Sequence, residues 1–127
     1  MIVTDASAAV AALTSDGLAR ARLGRVPVHA PHLIDYEVAS AMRRRVMSGE
    51  ITDVNGKHAL EQWSKISVER YPAGGLLTRI WELRLNLTAY DAAYAALAEA
   101  LDCPLVTADG RLAYAPGIRC EVHVVPR

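Results

Sequence analysis

The chain has 127 residues, of which 52% are hydrophobic and 22% are charged. This composition excludes a disordered protein and is sufficient for a single domain, residues 1–127, with its own core. The formal net charge is zero, so no global field attracts a polyanion, which would have to be held by local basic patches or through a metal ion. The two cysteines, Cys103 and Cys120, lack a zinc-binding spacing and predict neither a metal site nor a disulfide framework, so the cytoplasm is the expected compartment.

The beginning of the chain is apolar and rich in alanine, but it does not have the pattern of a signal peptide. Residues 1–13 lack a basic leader region, and Asp5 interrupts the apolar run. No uninterrupted apolar segment elsewhere reaches the length that a membrane-spanning helix needs. We therefore expect no membrane partner.

Short apolar runs and helical patterns alternate along the chain. In chain order, they predict a strand at 1–4, helices at 7–13 and 16–23, a strand at 26–30, a helix at 31–47, a helix that begins at Thr52 or Asp53, a strand at 67–71, helices at 76–86 and 88–101, and strands at 105–107 and 122–125. This alternation predicts an α/β domain with a parallel, helix-flanked sheet. Ligands of such sheets bind beyond the carboxyl ends of the strands, where the strand order reverses.

Four carboxylates lie where an α/β sheet would gather them. Asp5 and Asp109 directly follow predicted strands, Asp91 lies in the first turn of a helix, and Glu37 lies within the helix at 31–47. Because strand ends and helix starts meet at one edge of a parallel sheet, we expect the four to converge. Two such charges about 4 Å apart repel by roughly 4 kcal/mol at an effective dielectric constant of about 20. Clustered carboxylates therefore need a cation, and an oxygen-only set of ligands favours Mg²⁺ or Mn²⁺ over zinc.

Each aspartate also has a purely structural interpretation. Asp5 is suited to cap the first helix, and Asp109 precedes a glycine in a turn. Asp91 follows Thr88 by three residues, as in a capping box with aspartate in place of the usual glutamate. Taken one at a time, capping is at least as good an explanation as metal binding.

Glu37 is harder to explain as a structural residue. It shares a helical stripe with Leu33 and Ala41, and a glutamate among small apolar neighbours is costly without a partner. An arginine that the sequence does not identify is the structural alternative to a metal ion. The neighbouring Asp35 is predicted to point to the other side of the helix, into solvent.

Four segments of the chain stand out together: IVTDASA at 2–8, LIDYEVA at 33–39, LTAYDAAYAALAE at 87–99 and LVTADGRL at 105–112. They resemble the PIN-domain ribonucleases, and specifically the VapC toxins of bacterial toxin–antitoxin systems. They occur in the order and at the separations that the family shows, so the resemblance runs nearly end to end. It implies a three-layer fold with a central, mainly parallel sheet of about five strands flanked by helices.

The resemblance also implies a site and a reaction. It assigns the magnesium-binding acidic quartet of the family to Asp5, Glu37, Asp91 and Asp109. Thr107 matches a polar residue often found beside this quartet, and Ser7 and Arg111 are candidates for contacts to the substrate or to the metal ligands. The implied activity is an Mg²⁺-dependent endoribonuclease, with Mn²⁺ as a substitute, in which a metal-bound water attacks the phosphodiester and leaves a 5′-phosphate and a 3′-hydroxyl.

The implied partners are an RNA substrate, with tRNA as one candidate, a second copy of the chain, and a cognate antitoxin that places a basic side chain against the acidic pocket. Two other functions stay open. One is a non-catalytic binding module in which the acids serve as caps. The other is a phospho-receiver signalling domain, which needs a lysine after the last strand, whereas Lys57 and Lys65 both lie in a mid-chain helix. The basic run at 43–45 is interpreted as a solvated helix face in preference to a phosphate contact.

Overall fold

The sheet consists of five short parallel strands, as the sequence predicts. In the computed structural model, which describes residues 1–15 and 17–127, they are β1 (Ile2–Thr4), β2 (Val28–Pro31), β3 (Val68–Tyr71), β4 (Leu105–Thr107) and β5 (Val122–Val124). Their order is β3-β2-β1-β4-β5, and every neighbouring pair is parallel. The order reverses between β1 and β4, which lead directly to Asp5 and Asp109. Both residues therefore lie where open α/β sheets bind ligands.

Helices cover both faces of the sheet. Within the described residues they are α1 (Ala6–Thr14), α2 (Leu18–Leu23), α3 (Leu33–Met47), α4 (Asp53–Lys65), α5 (Leu77–Glu82) and α6 (Ala89–Leu101), with short 3-10 helices at Gly74–Leu76 and Gly110–Tyr114. Three of the helices begin at a side-chain cap that accepts a backbone N–H of the first turn: Asp5 for α1, Thr52 for α4 and Thr88 for α6. The predicted start of α2 at Asp16 lies outside the described residues.

Helix α6 is the element that fixes the site most firmly, because residues 92–98 are all buried. Its alanines allow the helix to lie close to the sheet, where Val3 and Leu105 pack in the same core cluster as Tyr94. The opposite face of the sheet, with Ile2 and Val106, is covered by alanines of α1 and α2. Each fully buried valine or leucine side chain contributes about 1.5–3 kcal/mol. The two covered faces confirm the three-layer α/β fold.

The largest boundary difference concerns α5, which was predicted at 76–86 and is found at Leu77–Glu82. Strand β2, predicted at 26–30, is found at Val28–Pro31. The strand can end on a proline because Pro31 is its last residue, and the next N–H, that of His32, donates to the Tyr71 carbonyl oxygen at 3.0 Å. Cys103 and Cys120 are free thiols in the structure. In the part of the chain that the structure describes, every helix is too short or too polar to cross a bilayer.

Candidate active site

Asp5 is buried at the carboxyl end of β1, where it caps α1 and is held by three donors. Its Oδ1 accepts the Ala8 N–H at 3.0 Å and the Ser7 hydroxyl at 2.7 Å, and its Oδ2 accepts the Thr107 hydroxyl at 2.5 Å. Burial raises the pKa of Asp5 above its ordinary value, against the lowering effect of these hydrogen bonds. Asp5 therefore does cap α1, as the structural interpretation proposed. Capping alone does not explain why the carboxylate is buried where its charged form is disfavoured.

Ser7 and Thr107 join the two strand ends that flank the reversal of strand order. The Ser7 hydroxyl oxygen accepts the Ala108 N–H at 2.8 Å, and the Thr107 hydroxyl oxygen accepts the Asp109 N–H at 3.0 Å. Each hydroxyl thus contacts Asp5 and a backbone amide of the loop after β4. The two residues position Asp5 relative to Asp109 and add no charge to the site.

Glu37 has a tyrosine as its partner, so the arginine that was its structural alternative is not what holds it. The Tyr94 hydroxyl donates to Glu37 Oε1 at 2.5 Å, and the rest of Tyr94 is core, with only 1% of the residue exposed. Burial raises the pKa of Glu37, and the charges of Asp91 and Asp5 raise it further. The hydrogen bond from a neutral donor orients this carboxylate but leaves its negative charge uncompensated.

Asp91 stands in the first turn of α6 with an unengaged carboxylate. Its backbone N–H donates to the Thr88 hydroxyl oxygen at 3.2 Å, which is half of the predicted capping box. No residue in 1–15 or 17–127 donates a hydrogen bond to the Asp91 side chain, so the reciprocal half is not formed. Burial and the charge of Asp109 raise the pKa of Asp91. This is the carboxylate most clearly available to a ligand.

Asp109 differs from the other three because an arginine neutralises it. The Arg111 guanidinium donates through Nε to Asp109 Oδ1 at 3.0 Å and through Nη2 to Oδ2 at 2.7 Å. This contact lowers the pKa of Asp109. The Arg111 side chain is 87% exposed, so the ion pair lies at the mouth of the site and is weakly held.

All four carboxylates line one open groove of about 860 Å³. The structure thus brings the four predicted residues to one groove. Among the described residues, however, no three Asp, Glu, His or Cys side chains are arranged so that they could hold one metal ion. The donor set still fits a hard cation, because Asp5, Glu37 and Asp91 line the same groove with no arginine bound to them among the described residues. Besides burial, the charge of Asp91 raises the pKa values of Asp5 and Glu37. The assignment of the quartet as metal ligands stays a prediction.

Asp35 was predicted to be solvated, and this was wrong. It accepts hydrogen bonds from Arg70 Nε at 2.7 Å and Nη2 at 2.9 Å, and from Trp63 Nε1 at 2.8 Å. The hydrogen bond from Arg70 is the main reason why the pKa of Asp35 is lowered. The network ties α3 to α4 and β3, so Asp35 is a structural acid two residues away from a candidate functional one.

Tyr94 and Arg44 line the groove but were not among the predicted site residues. Tyr94 lies one turn after Asp91 on α6, and its spacing was compatible with both the core and the groove; it belongs to both. Arg44 lies on the groove-lining side of α3, seven residues after Glu37. Helical spacing from Glu37 was the signal that could have separated Arg44 from its neighbours in the basic run.

Comparison with known proteins agrees with this architecture. A family profile described as PIN domain matches residues 2–118. Ribonuclease VapC9 of Mycobacterium tuberculosis is 52% identical over 127 residues, which cover 100% of both chains. A crystal structure of PAE2754 from Pyrobaculum aerophilum has a TM-score of 0.71 and 26% identity, covering 95% of this chain and 81% of that one.

A further solved structure shares the fold alone. It is that of VapBC2 from Rickettsia felis bound to a DNA fragment from their promoter, with a TM-score of 0.67, 14% identity, and coverage of 97% of this chain and 99% of that one. The family profile and the full-length relative decide the relationship without it. The chain belongs to the PIN-domain family and, within that family, to the VapC proteins.

Proposed function

We propose that this chain is a metal-dependent endoribonuclease, the toxin of a toxin–antitoxin pair, that hydrolyses RNA phosphodiester bonds in the cytoplasm. The observation that carries the proposal is the set of Asp5, Glu37 and Asp91, which line one groove with raised pKa values and no arginine bound to them among the described residues. The full-length relative named Ribonuclease VapC9 supports the same activity.

The charge state of the groove supports a divalent cation as cofactor. Carboxylate oxygens are hard ligands, which suit Mg²⁺ and, as a substitute, Mn²⁺. Asp5, Asp91 and Asp109 would hold the ion, directly or through water, and Glu37 would complete the pocket. Asp109 can bind the ion once the exposed Arg111 side chain turns away from it. The positive charge of the ion then replaces that of the guanidinium beside Asp109.

The chain's own residues would then act as follows. The hydroxyls of Ser7 and Thr107 fix both oxygens of Asp5, so that this ligand is oriented before the substrate arrives. Tyr94 fixes Glu37 through Oε1 and leaves Oε2 without a donor among the described residues, free to orient a water molecule or accept its proton. A divalent ion bound there would supply a water of lowered pKa and neutralise the charge that builds on the phosphate.

We further propose that a cognate antitoxin restrains this activity and that the toxin is a homodimer. Membership of the VapC proteins, which the sequence resemblance describes as toxins with a cognate antitoxin, supports the first point. A basic side chain of the antitoxin entering the groove would replace the charge of the metal ion, as Arg111 already does for Asp109. A phospho-receiver function finds no support, because no lysine is among the groove-lining residues that the structure describes.

The test is cleavage of total RNA by the purified protein, with sequencing of the RNA ends. We expect cleavage with Mg²⁺, ends that carry a 5′-phosphate and a 3′-hydroxyl, and no cleavage with a chelator. Asp5→Asn keeps the capping oxygen and the shape of the side chain but removes the charge, so it should lower the rate by at least about 100-fold. Full activity of Asp5→Asn, or cleavage unaffected by the chelator, would contradict the proposal.

A further inference from the structure

We infer that Arg44 forms a phosphate-binding subsite for the RNA strand in the groove, one step away from the acidic cluster; this inference rests on the proposed function. The basic run of Arg43, Arg44 and Arg45 was interpreted as a solvated face of α3. The structure separates its three members, because Arg44 and Arg45 line the groove and Arg43 does not. The run therefore does not act as a unit.

One side of α3 forms a wall of the groove. The residues of α3 and its C-cap that line it follow one another at helical spacing: Leu33, Tyr36, Glu37, Ser40, Ala41, Arg44, Arg45 and Ser48. Arg44 lies seven residues after Glu37, which is about 10 Å along the helix axis and nearly the same angular position. The small residues Ser40 and Ala41 lie between them and leave room for a chain to pass.

Arg44 is a cation of this wall that has no ion-pair partner among the described residues. Its side chain forms no ion pair or hydrogen bond with any residue that the structure describes, and its residue is exposed. Arg45 is engaged, because its Nε lies 3.3 Å from Glu50 Oε2. The charge of Arg44 is felt at Glu37, where it lowers the pKa slightly against the dominant effect of burial. Arg44 therefore faces the groove and has no structural partner there.

A polyanionic strand is the ligand that fits this charge pattern. A strand that runs along α3 past the two small residues brings a phosphate to Arg44, whether or not a cation holds another phosphate at the acidic cluster. Arg44 then meets a phosphate oxygen, and Ser40 on the same wall carries a hydroxyl that can donate to the strand. An arginine matches this partner, because its guanidinium can donate two parallel hydrogen bonds to a phosphate.

Arg43 provides a matched control for the test. It is adjacent on the same helix, carries the same charge, is exposed, and has no partner among the described residues, but it does not line the groove. Binding of a fluorescein-labelled single-stranded RNA oligonucleotide is measured by anisotropy in EDTA, over a series of salt concentrations. Arg44→Ala should raise Kd about fivefold and reduce the slope of log K against log[salt] by about 0.7. Arg43→Ala should leave both at wild-type values.

Two additional variants separate phosphate binding from a simple effect on Glu37. Arg44→Lys keeps the charge and should retain the salt slope. In a Glu37→Gln background, Arg44→Ala should still weaken RNA binding by a similar factor, because the contact is to the strand and not to the carboxylate. Loss of the Arg44 effect in that background would overturn the inference.

Equal effects of Arg43→Ala and Arg44→Ala, no effect of either, or no RNA binding by the wild type would also overturn it. The same titrations with polyglutamate test an acidic protein segment as the ligand. Weakened polyglutamate binding by Arg44→Ala with unchanged RNA binding would assign the groove to such a segment and refute the RNA subsite. Because EDTA prevents cleavage, these outcomes are independent of the cleavage assay, which alone decides the ribonuclease proposal.

Discussion

The acids in the groove and the acids that helices carry outside it, Asp35 on α3 and Glu99 on α6, which we call the flank acids, are held in opposite ways. Asp35 and Glu99 are each bound by an arginine, Arg70 and Arg79, and both have lowered pKa values. The groove acids Asp5, Glu37 and Asp91 have raised pKa values instead. The fold thus compensates its structural carboxylates internally and leaves those of the groove for a cation from outside.

The donors in the groove explain how its carboxylates can be ordered and still remain charged. Asp5 and Glu37 are held by the hydroxyls of Ser7, Thr107 and Tyr94. A hydroxyl fixes the direction of a carboxylate oxygen but does not cancel its charge, whereas a guanidinium does both. Asp109 is intermediate, because its arginine is exposed and lies at the mouth of the groove.

The largest stability effect should come from breaking a flank pair. Arg79 donates to Glu99 Oε1 at 2.6 Å, and the two side chains are only 19% and 13% exposed. Arg79→Met keeps much of the packing but removes the guanidinium that binds the largely buried Glu99, which then keeps only the Arg119 backbone N–H as a donor among the described residues. It should lower the free energy of unfolding by about 2 kcal/mol. Urea denaturation at neutral pH measures this change.

The double variant Arg79→Met with Glu99→Gln is the control for this experiment. It removes the charge together with its partner and should recover much of the lost stability. A single variant as stable as the wild type would show that the flank pairs are not needed to compensate the acids, and the contrast between the two regions would fail.

Removal of the charge of a groove acid should raise the free energy of unfolding, by less than the loss of a flank pair lowers it. Asp5→Asn eliminates a buried charge without a cationic partner, so at neutral pH and without metal it should raise the free energy of unfolding by about 1 kcal/mol. Because the pKa of Asp5 is raised in the folded state, the ionised carboxylate lowers the stability of the wild type, and it does so only at a pH high enough to ionise it. The gain from Asp5→Asn should therefore shrink as pH falls through the raised pKa and vanish below the ordinary value of 3.8.

Thermal unfolding of the wild type and of Asp5→Asn at several pH values, in EDTA, measures this difference in stability. A strongly destabilised Asp5→Asn variant at neutral pH would mean that Asp5 is a structural cap and little else. Saturating Mg²⁺ should reverse the order, since only the wild type gains stability from the bound ion.

The backbone positions of the site could be predicted from sequence, but its hydrogen bonds could not. Asp5 and Asp109 follow apolar strand segments, and parallel strand ends meet at one edge of the sheet, so their convergence follows from local pattern and topology. The Asp35–Arg70 pair joins residues 35 positions apart on α3 and β3. Only the packing of that helix against the sheet reveals it, and helical spacing alone placed Asp35 in solvent.

Tyr94 illustrates a second limit. Its ring is part of the core, as its position on an alanine-rich helix predicts, while its hydroxyl reaches Glu37, 57 residues away in sequence. Periodicity assigns a residue to one face of a helix and does not say that its ring can be buried while its polar end reaches a site. The same applies to Arg44, whose role depends on which side of α3 forms the wall.

The most direct test of the central claim is a Mg²⁺ titration of the protein followed by the ¹³C signals of the side-chain carboxyl groups. The account predicts that the signals of Asp5, Glu37, Asp91 and Asp109 shift at millimolar Mg²⁺, while those of Asp35 and Glu99, held by their arginines, do not. Groove signals that remain unchanged, or a uniform shift of flank and groove acids alike, would contradict it.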